Sequence, residues 1–123
     1  MQYAILCYHD EKVTCAWSKE HDDAVMAKLG AVTEKLERAG KLGPVARLLP
    51  TTAATTLRKD RVPPLVIDGP FAETKEQLLG FYIVDCASLE EVIEIAKDLG
   101  EANPGGAYEI RPVGVFFPGK LAS

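Results

Sequence analysis

The strand-forming segments of this chain are apolar in both of their alternating sets. Gln2 to Tyr8 is a continuous apolar and aromatic run, and Phe81 to Val84 and Val113 to Phe117 repeat the pattern. A strand shows one set of side chains to each face of its sheet, so these segments call for a sheet covered twice. The helical patterns supply one cover only. Two helices can blanket one face of an antiparallel sheet, and a second copy of the sheet is the simplest cover for the other.

The first helix is announced by Ser18 as N-cap, with Glu20, Asp22 and Asp23 placed to favour the positive end of the dipole. Val25, Leu29, Val32 and Leu36 then recur on one stripe, and Gly40 is the natural residue just past the end. Gly30 inside it costs about 1 kcal/mol against Ala. The second helix opens on Ser88-Leu89-Glu90-Glu91, which has capping-box spacing. Its expected buried stripe is Leu89, Val92, Ile93 and Ala96, and Gly100 is its expected end.

Between the helices, Val45 to Leu49 reads as a strand. Thr51 to Leu57 and Val62 to Ile67 read as a hairpin turning on Arg58-Lys59-Asp60-Arg61. Pro63 and Pro64 cannot donate ladder hydrogen bonds, so that strand begins at a sheet edge. His9 to Trp17 reads as loop. Asn103-Pro104-Gly105-Gly106 reads as a turn before a last strand over Ala107 to Phe117, bent at Pro112 or Gly114. The expected order is strand, helix, strands, helix, strand. This is an α+β, ferredoxin-like split β-α-β arrangement with an extra central hairpin.

A chain of 123 residues suits one domain with its own core. The net charge is −4 and the basic residues are scattered, so the footprint a nucleic-acid binder needs is missing. No apolar run approaches the ~20 residues that span a bilayer, and the N-terminal stretch lacks signal-peptide features. Three cysteines without C-x-x-C spacing argue against a disulfide framework and for a reducing cytoplasm. The spacing of His9 and His21 gives no metal motif, and neither G-x-G-x-x-G nor a P-loop occurs. No cofactor or metal is therefore expected.

The most specific stretch is Asp68-Gly69-Pro70-Phe71-Ala72-Glu73-Thr74-Lys75-Glu76-Gln77. It resembles the signature of the DGPF group within the YCII-related family. The resemblance runs on into Leu79-Gly80-Phe81-Tyr82-Ile83-Val84-Asp85, and it takes in Tyr8-His9-Asp10-Glu11 and Glu109-Ile110-Arg111-Pro112-Val113. It implies a dimeric α/β barrel made by packing two ferredoxin-like sheets face to face, in a cytoplasmic bacterial protein. A few relatives in the wider family resemble lyases or dehydrochlorinases acting on small cyclic compounds, which implies a His–Asp pair as the active centre. Genes of the DGPF group often neighbour alternative sigma factors, which implies a regulatory connection. Asp68 matches the signature aspartate, and His9 stands where many members of the group carry glycine.

The candidate catalytic residues are thus His9 and Asp68. A histidine changes charge near neutral pH and suits general acid–base work, whereas a strand-end histidine also simply bonds to backbone. Asp68 can orient His9 or act as a base, or it can cap the Gly-Pro turn that follows. Glu73 and Lys75 read as a solvated pair. Cys15 and Cys86 lack a paired base in the sequence. Two functions follow. One is an enzyme performing elimination or isomerisation on a small organic molecule. The other is a ligand-binding or regulatory module linked to transcription. Either works as a homodimer.

Overall fold

The computed structural model describes residues 1–122. β1 (Gln2–His9) leads through a four-residue helix α1 (Glu11–Thr14) into the long α2 (Lys19–Arg38). β2 (Leu42–Arg47) follows, then a 3-10 turn at Thr51–Ala53 and the ribbon β3 (Thr55–Arg58) and β4 (Leu65–Asp68). β5 (Gln77–Asp85), α3 (Leu89–Ala102) and β6 (Ala107–Pro112) complete the order. β2, β5, β1 and β6 lie side by side in that order, every neighbour antiparallel. This α+β topology is compatible with the expected ferredoxin-like arrangement. β3 and β4 pair only with each other.

The local signals explain the helix ends. The Ser18 hydroxyl accepts from the His21 amide at 3.0 Å. At the other end Gly40, at φ +71°, lets Lys41 N–H reach the Leu36 carbonyl and Gly40 N–H the Glu37 carbonyl. That is a Schellman closure, and only glycine adopts its backbone without strain. Ser88 likewise caps α3 by accepting from Glu91 N–H at 3.2 Å. The Glu91 carboxylate takes Lys41 as its partner, with Nζ at 2.8 Å. An ammonium is a stronger partner than a neutral amide.

The core lies between the sheet and the two long helices. Tyr3, Ile5, Tyr82 and Val84 meet Val25, Leu29, Val92, Ile95 and Leu99 there. The opposite sheet face, which by the pleat carries Ala4, Leu6, Phe81 and Ile83, is only half-buried in the single chain.

Four expectations about element detail are corrected. α1 occupies part of the expected loop, because Asp10 accepts from Lys12 N–H and caps a single turn. α3 buries Val92, Ile95, Leu99 and Ala102, leaving Leu89 and Ile93 exposed. Both stripes have helical periodicity, and the position of the sheet selects between them. α3 continues through Gly100 to Ala102. The last strand stops at Pro112, where the ring removes a ladder donor, and Val115 and Phe117 stand exposed beyond it.

Candidate functional site

His9 ends β1. Just before it, the ladder with β5 slips: Cys7 faces Gly80 but Tyr8 faces Leu78. This bulge re-aims the last side chains of the strand. On the other side β6 pairs Ala107 with Tyr8, which brings the preceding Gly105-Gly106 turn against His9. A Cβ on Gly105 would stand 2.6 Å from His9 Nε2, and one on Gly106 would stand 2.1 Å from the Tyr8 carbonyl. Both glycines have positive φ. The turn is therefore glycine for conformation and for space.

This end of the sheet opens into a cavity of about 520 Å³, a volume suited to a small organic molecule. Its walls are mainly apolar: Trp17, Val25, Met26, Leu29, Leu48 and Tyr82 contribute. Trp17 meets His9 edge-on, with ring centroids 6.3 Å apart, and meets His21 at 4.6 Å. His9, Asn103 and Tyr108 supply polar groups. Among the described residues no hydrogen bond of normal geometry reaches His9 Nδ1, Asn103 Oδ1 or the Tyr108 hydroxyl, all three buried, although the Asn103 side chain lies near enough to Tyr108 to pull against its raised pKa. A buried polar atom left unpaired costs roughly 1–3 kcal/mol, so three of them on residues that line one cavity are a costly feature.

Burial holds three groups of the wall, Cys7, Tyr82 and Tyr108, in their neutral forms. It pushes the Cys7 thiol up to about 12 and the Tyr82 phenol up to about 12. Tyr108 is raised further by burial, with Cys7 and Tyr82 adding to it and the Asn103 side chain pulling the other way. Tyr108 thus remains a hydroxyl that can donate, and Cys7 is no thiolate nucleophile at neutral pH. Cys86 lies buried in the core, its thiol pushed up to about 11 by burial with Glu91 beside it.

The charged residues of the wall are engaged. Arg47 makes a two-pronged contact with Asp22, Nη2 to Oδ1 at 3.0 Å and Nη1 to Oδ2 at 3.3 Å. The Glu11 carboxylate accepts from Thr51 N–H at 3.0 Å and from the Thr51 hydroxyl. Among the described residues, no three His, Cys, Asp or Glu side chains stand together in a way that could hold a metal ion.

Of the two residues singled out in the sequence, His9 lines the cavity and Asp68 does not. Asp68 is exposed at the end of β4, paired in register with Thr55. A single chain therefore does not bring the two together at this cavity. Glu73 and Lys75 are exposed, as read from the sequence. Asn103, Tyr108, Trp17 and the Asp22–Arg47 pair were not read as site residues. The antiparallel pairing of β1 with β6 is the signal that places Asn103 and Tyr108, while the β2–β5 pairing places Arg47. The first pairing sets the residues entering β6 beside those leaving β1.

The fold and cavity define a small α+β protein with a mostly apolar pocket at one end of an antiparallel sheet. Sequence comparison is more specific. The YCII-related domain matches residues 1–116, and the chain belongs to the YCII-related family. It is similar to an uncharacterised protein of Rhizobium meliloti (strain 1021), with 62% identity over 124 positions and full coverage of both chains. No helix among the described residues is long and apolar enough to cross a membrane.

Proposed function

We propose that the cavity beside His9 is an acid–base site that performs elimination or isomerisation on a small organic molecule without a cofactor. The observation that carries this reading is the set of unpartnered buried atoms on His9, Asn103 and Tyr108 around one cavity. In an isomerisation the His9 imidazole takes a proton from a carbon next to a carbonyl and returns it at another position; in an elimination it keeps that proton while the leaving group departs from the neighbouring carbon with its bonding electron pair. The Tyr108 hydroxyl and the Asn103 amide hold the oxygen on which charge develops.

Proton exchange tests the reading without knowledge of the natural substrate. The protein is incubated in D2O with a panel of cyclic ketones and lactones, and loss of α-proton signals is followed by NMR. At least one compound exchanges faster than in buffer, and His9→Ala slows that exchange by ~10²-fold or more. A panel untouched by the wild type, or an undiminished His9→Ala, refutes the proposal.

The same proposal includes a homodimer of the DGPF type, two sheets packed face to face. Its support is the half-buried outer face with Leu6, Phe81 and Ile83, and the exposed Val115 and Phe117 beyond β6. Asp68 would join His9 only across such a dimer, delivered by the exposed ribbon of the second copy. Mixing His9→Ala with Asp68→Asn chains tests this. Hybrid dimers regain exchange activity only if each site draws on both chains. A soluble monomer in sedimentation equilibrium at micromolar concentration would rule out the dimer.

One observation favours the regulatory reading. The stretch from Phe71 to Glu76 is exposed throughout, with Phe71 75% accessible, so it is available to a transcription-related partner. A pulldown that loses a regulatory protein on Phe71→Ser would support that reading, and one that recovers none would remove it.

A further inference from the structure

Arg47 is the only lysine or arginine among the described residues lining the cavity. It sits on the last position of β2, and it reaches back across to Asp22 in the first turn of α2. The contact uses two guanidinium nitrogens and both carboxylate oxygens, the geometry in which arginine binds carboxylates best. Asp22 therefore occupies one fork of a guanidinium that is itself exposed, and an anionic ligand would have to compete with it there. The other charged wall residue, Glu11, is a carboxylate capped by Thr51. It adds negative charge to the cavity and offers no cation.

From this we infer that the cavity selects uncharged molecules, and that Asp22 is the residue that sets the selection by masking Arg47. The inference rests on the cavity being a ligand site and specifies which ligands it takes. The physical argument has two parts. A carboxylate or phosphate entering the mostly apolar walls loses its hydration and finds no free cation to replace it. To recruit Arg47 it must displace Asp22 or share the guanidinium with it, so the gain is smaller than from an unpaired cation. A neutral molecule with a carbonyl, amide or hydroxyl meets neither cost.

A nearly isosteric pair of probes separates charge from shape: cyclohexanecarboxamide and cyclohexanecarboxylate. Cyclohexylmethylammonium tests the opposite charge. Trp17 is the only tryptophan of the chain and lines the cavity, so its fluorescence reports binding directly. At pH 7 the carboxamide binds at least ~10-fold more tightly than the carboxylate and more tightly than the ammonium. In Asp22→Asn, with Arg47 unmasked, the ratio of carboxylate to carboxamide affinity rises by ~10-fold or more. Arg47→Gln in the same background abolishes that rise, and circular dichroism confirms that both variants fold. A carboxylate or ammonium that binds the wild type as tightly as the carboxamide overturns the selection while leaving the cavity as a ligand site. A ratio unmoved by Asp22→Asn overturns the role of Asp22. If none of the three probes changes Trp17 fluorescence, the ligand-site reading and this inference fail together.

Discussion

The sheet beneath the helices and the β3–β4 ribbon are built from similar residues and end in opposite states. Ile5, Val84, Val92 and Leu99 are wholly buried, whereas Leu57, Val62, Leu65, Val66 and Ile67 in the ribbon are exposed. Both regions are rich in strand-forming apolar side chains. The difference lies in what each packs on. The four-stranded sheet has two helices against it. The ribbon's principal packing is its own two strands, and a lone two-stranded ribbon is marginal in water. One region thus carries the stability of the chain. The other is shaped for contacts outside it, and the most distinctive stretch of the sequence starts at its last residue, Asp68, and runs on into the segment before β5.

Truncation gives the largest expected contrast. Leu99→Ala removes a fully buried side chain and should cost roughly 2–5 kcal/mol in urea unfolding. Val66→Ala in the ribbon should stay within about 0.5 kcal/mol under conditions that keep the chain monomeric. Equal costs would mean that the ribbon is packed after all.

Glycines sharpen the comparison. Gly106 and Gly69 both have positive φ, but only Gly106 is crowded, with the Tyr8 carbonyl and His9 in the path of a Cβ. Gly106→Ala should cost on the order of 3 kcal/mol and shift the His9 ring resonances. Gly69→Ala has open space around it and should cost about 1–2 kcal/mol from backbone strain alone. A His9 spectrum unchanged in Gly106→Ala would show that the turn does not position the ring.

Thiol labelling reads the same division at the side-chain level. Burial raises Cys7 to about 12 and Cys86 to about 11, so at pH 8 only about one in 10⁴ or 10³ of each is thiolate in the folded state. Exposed Cys15 should react with iodoacetamide at least ~10²-fold faster than either. Mass spectrometry should then show one adduct, at Cys15. Equal labelling of Cys7 would reveal an open cavity floor.

The smallest effect belongs to the Lys41–Glu91 pair that joins β2 to α3. Lys41 holds the Glu91 carboxyl below its ordinary value through hydrogen bonding and charge, and Glu91 raises Lys41 in return. The Glu91 contribution is therefore complete above the ordinary carboxylate pKa and is lost as pH falls through its lowered value. The Lys41 contribution is complete below the ordinary lysine pKa and is lost as pH rises through its raised value. Lys41→Met should lower Tm slightly at pH 7, and the difference should vanish in acid once Glu91 is protonated. A Tm difference that persists in acid would assign the effect to lost packing.

Much of this protein could be read along the chain because the relevant forces are local. Ser18, Ser88 and Gly40 end or begin helices through bonds that span a few residues. The stripe of Val25 and Leu29 follows from helical period alone, and the apolar residues in both alternating sets of β1 and β5 call for a sheet covered on both faces. His9 was visible as an ionisable group at a strand end. Its surroundings were not, because they arrive from far along the chain. Gly105, Asn103 and Tyr108 reach it through the β1–β6 pairing, and Asp22 meets Arg47 from 25 residues away. Which stripe α3 buries was likewise open, since Leu89 and Ile93 repeat with the same period as Val92, Ile95 and Leu99. Only the position of the sheet against the helix distinguishes them. Periodicity states that a face must be covered. Contacts made over long sequence separations decide which face, by which partner, and what chemistry gathers where they meet.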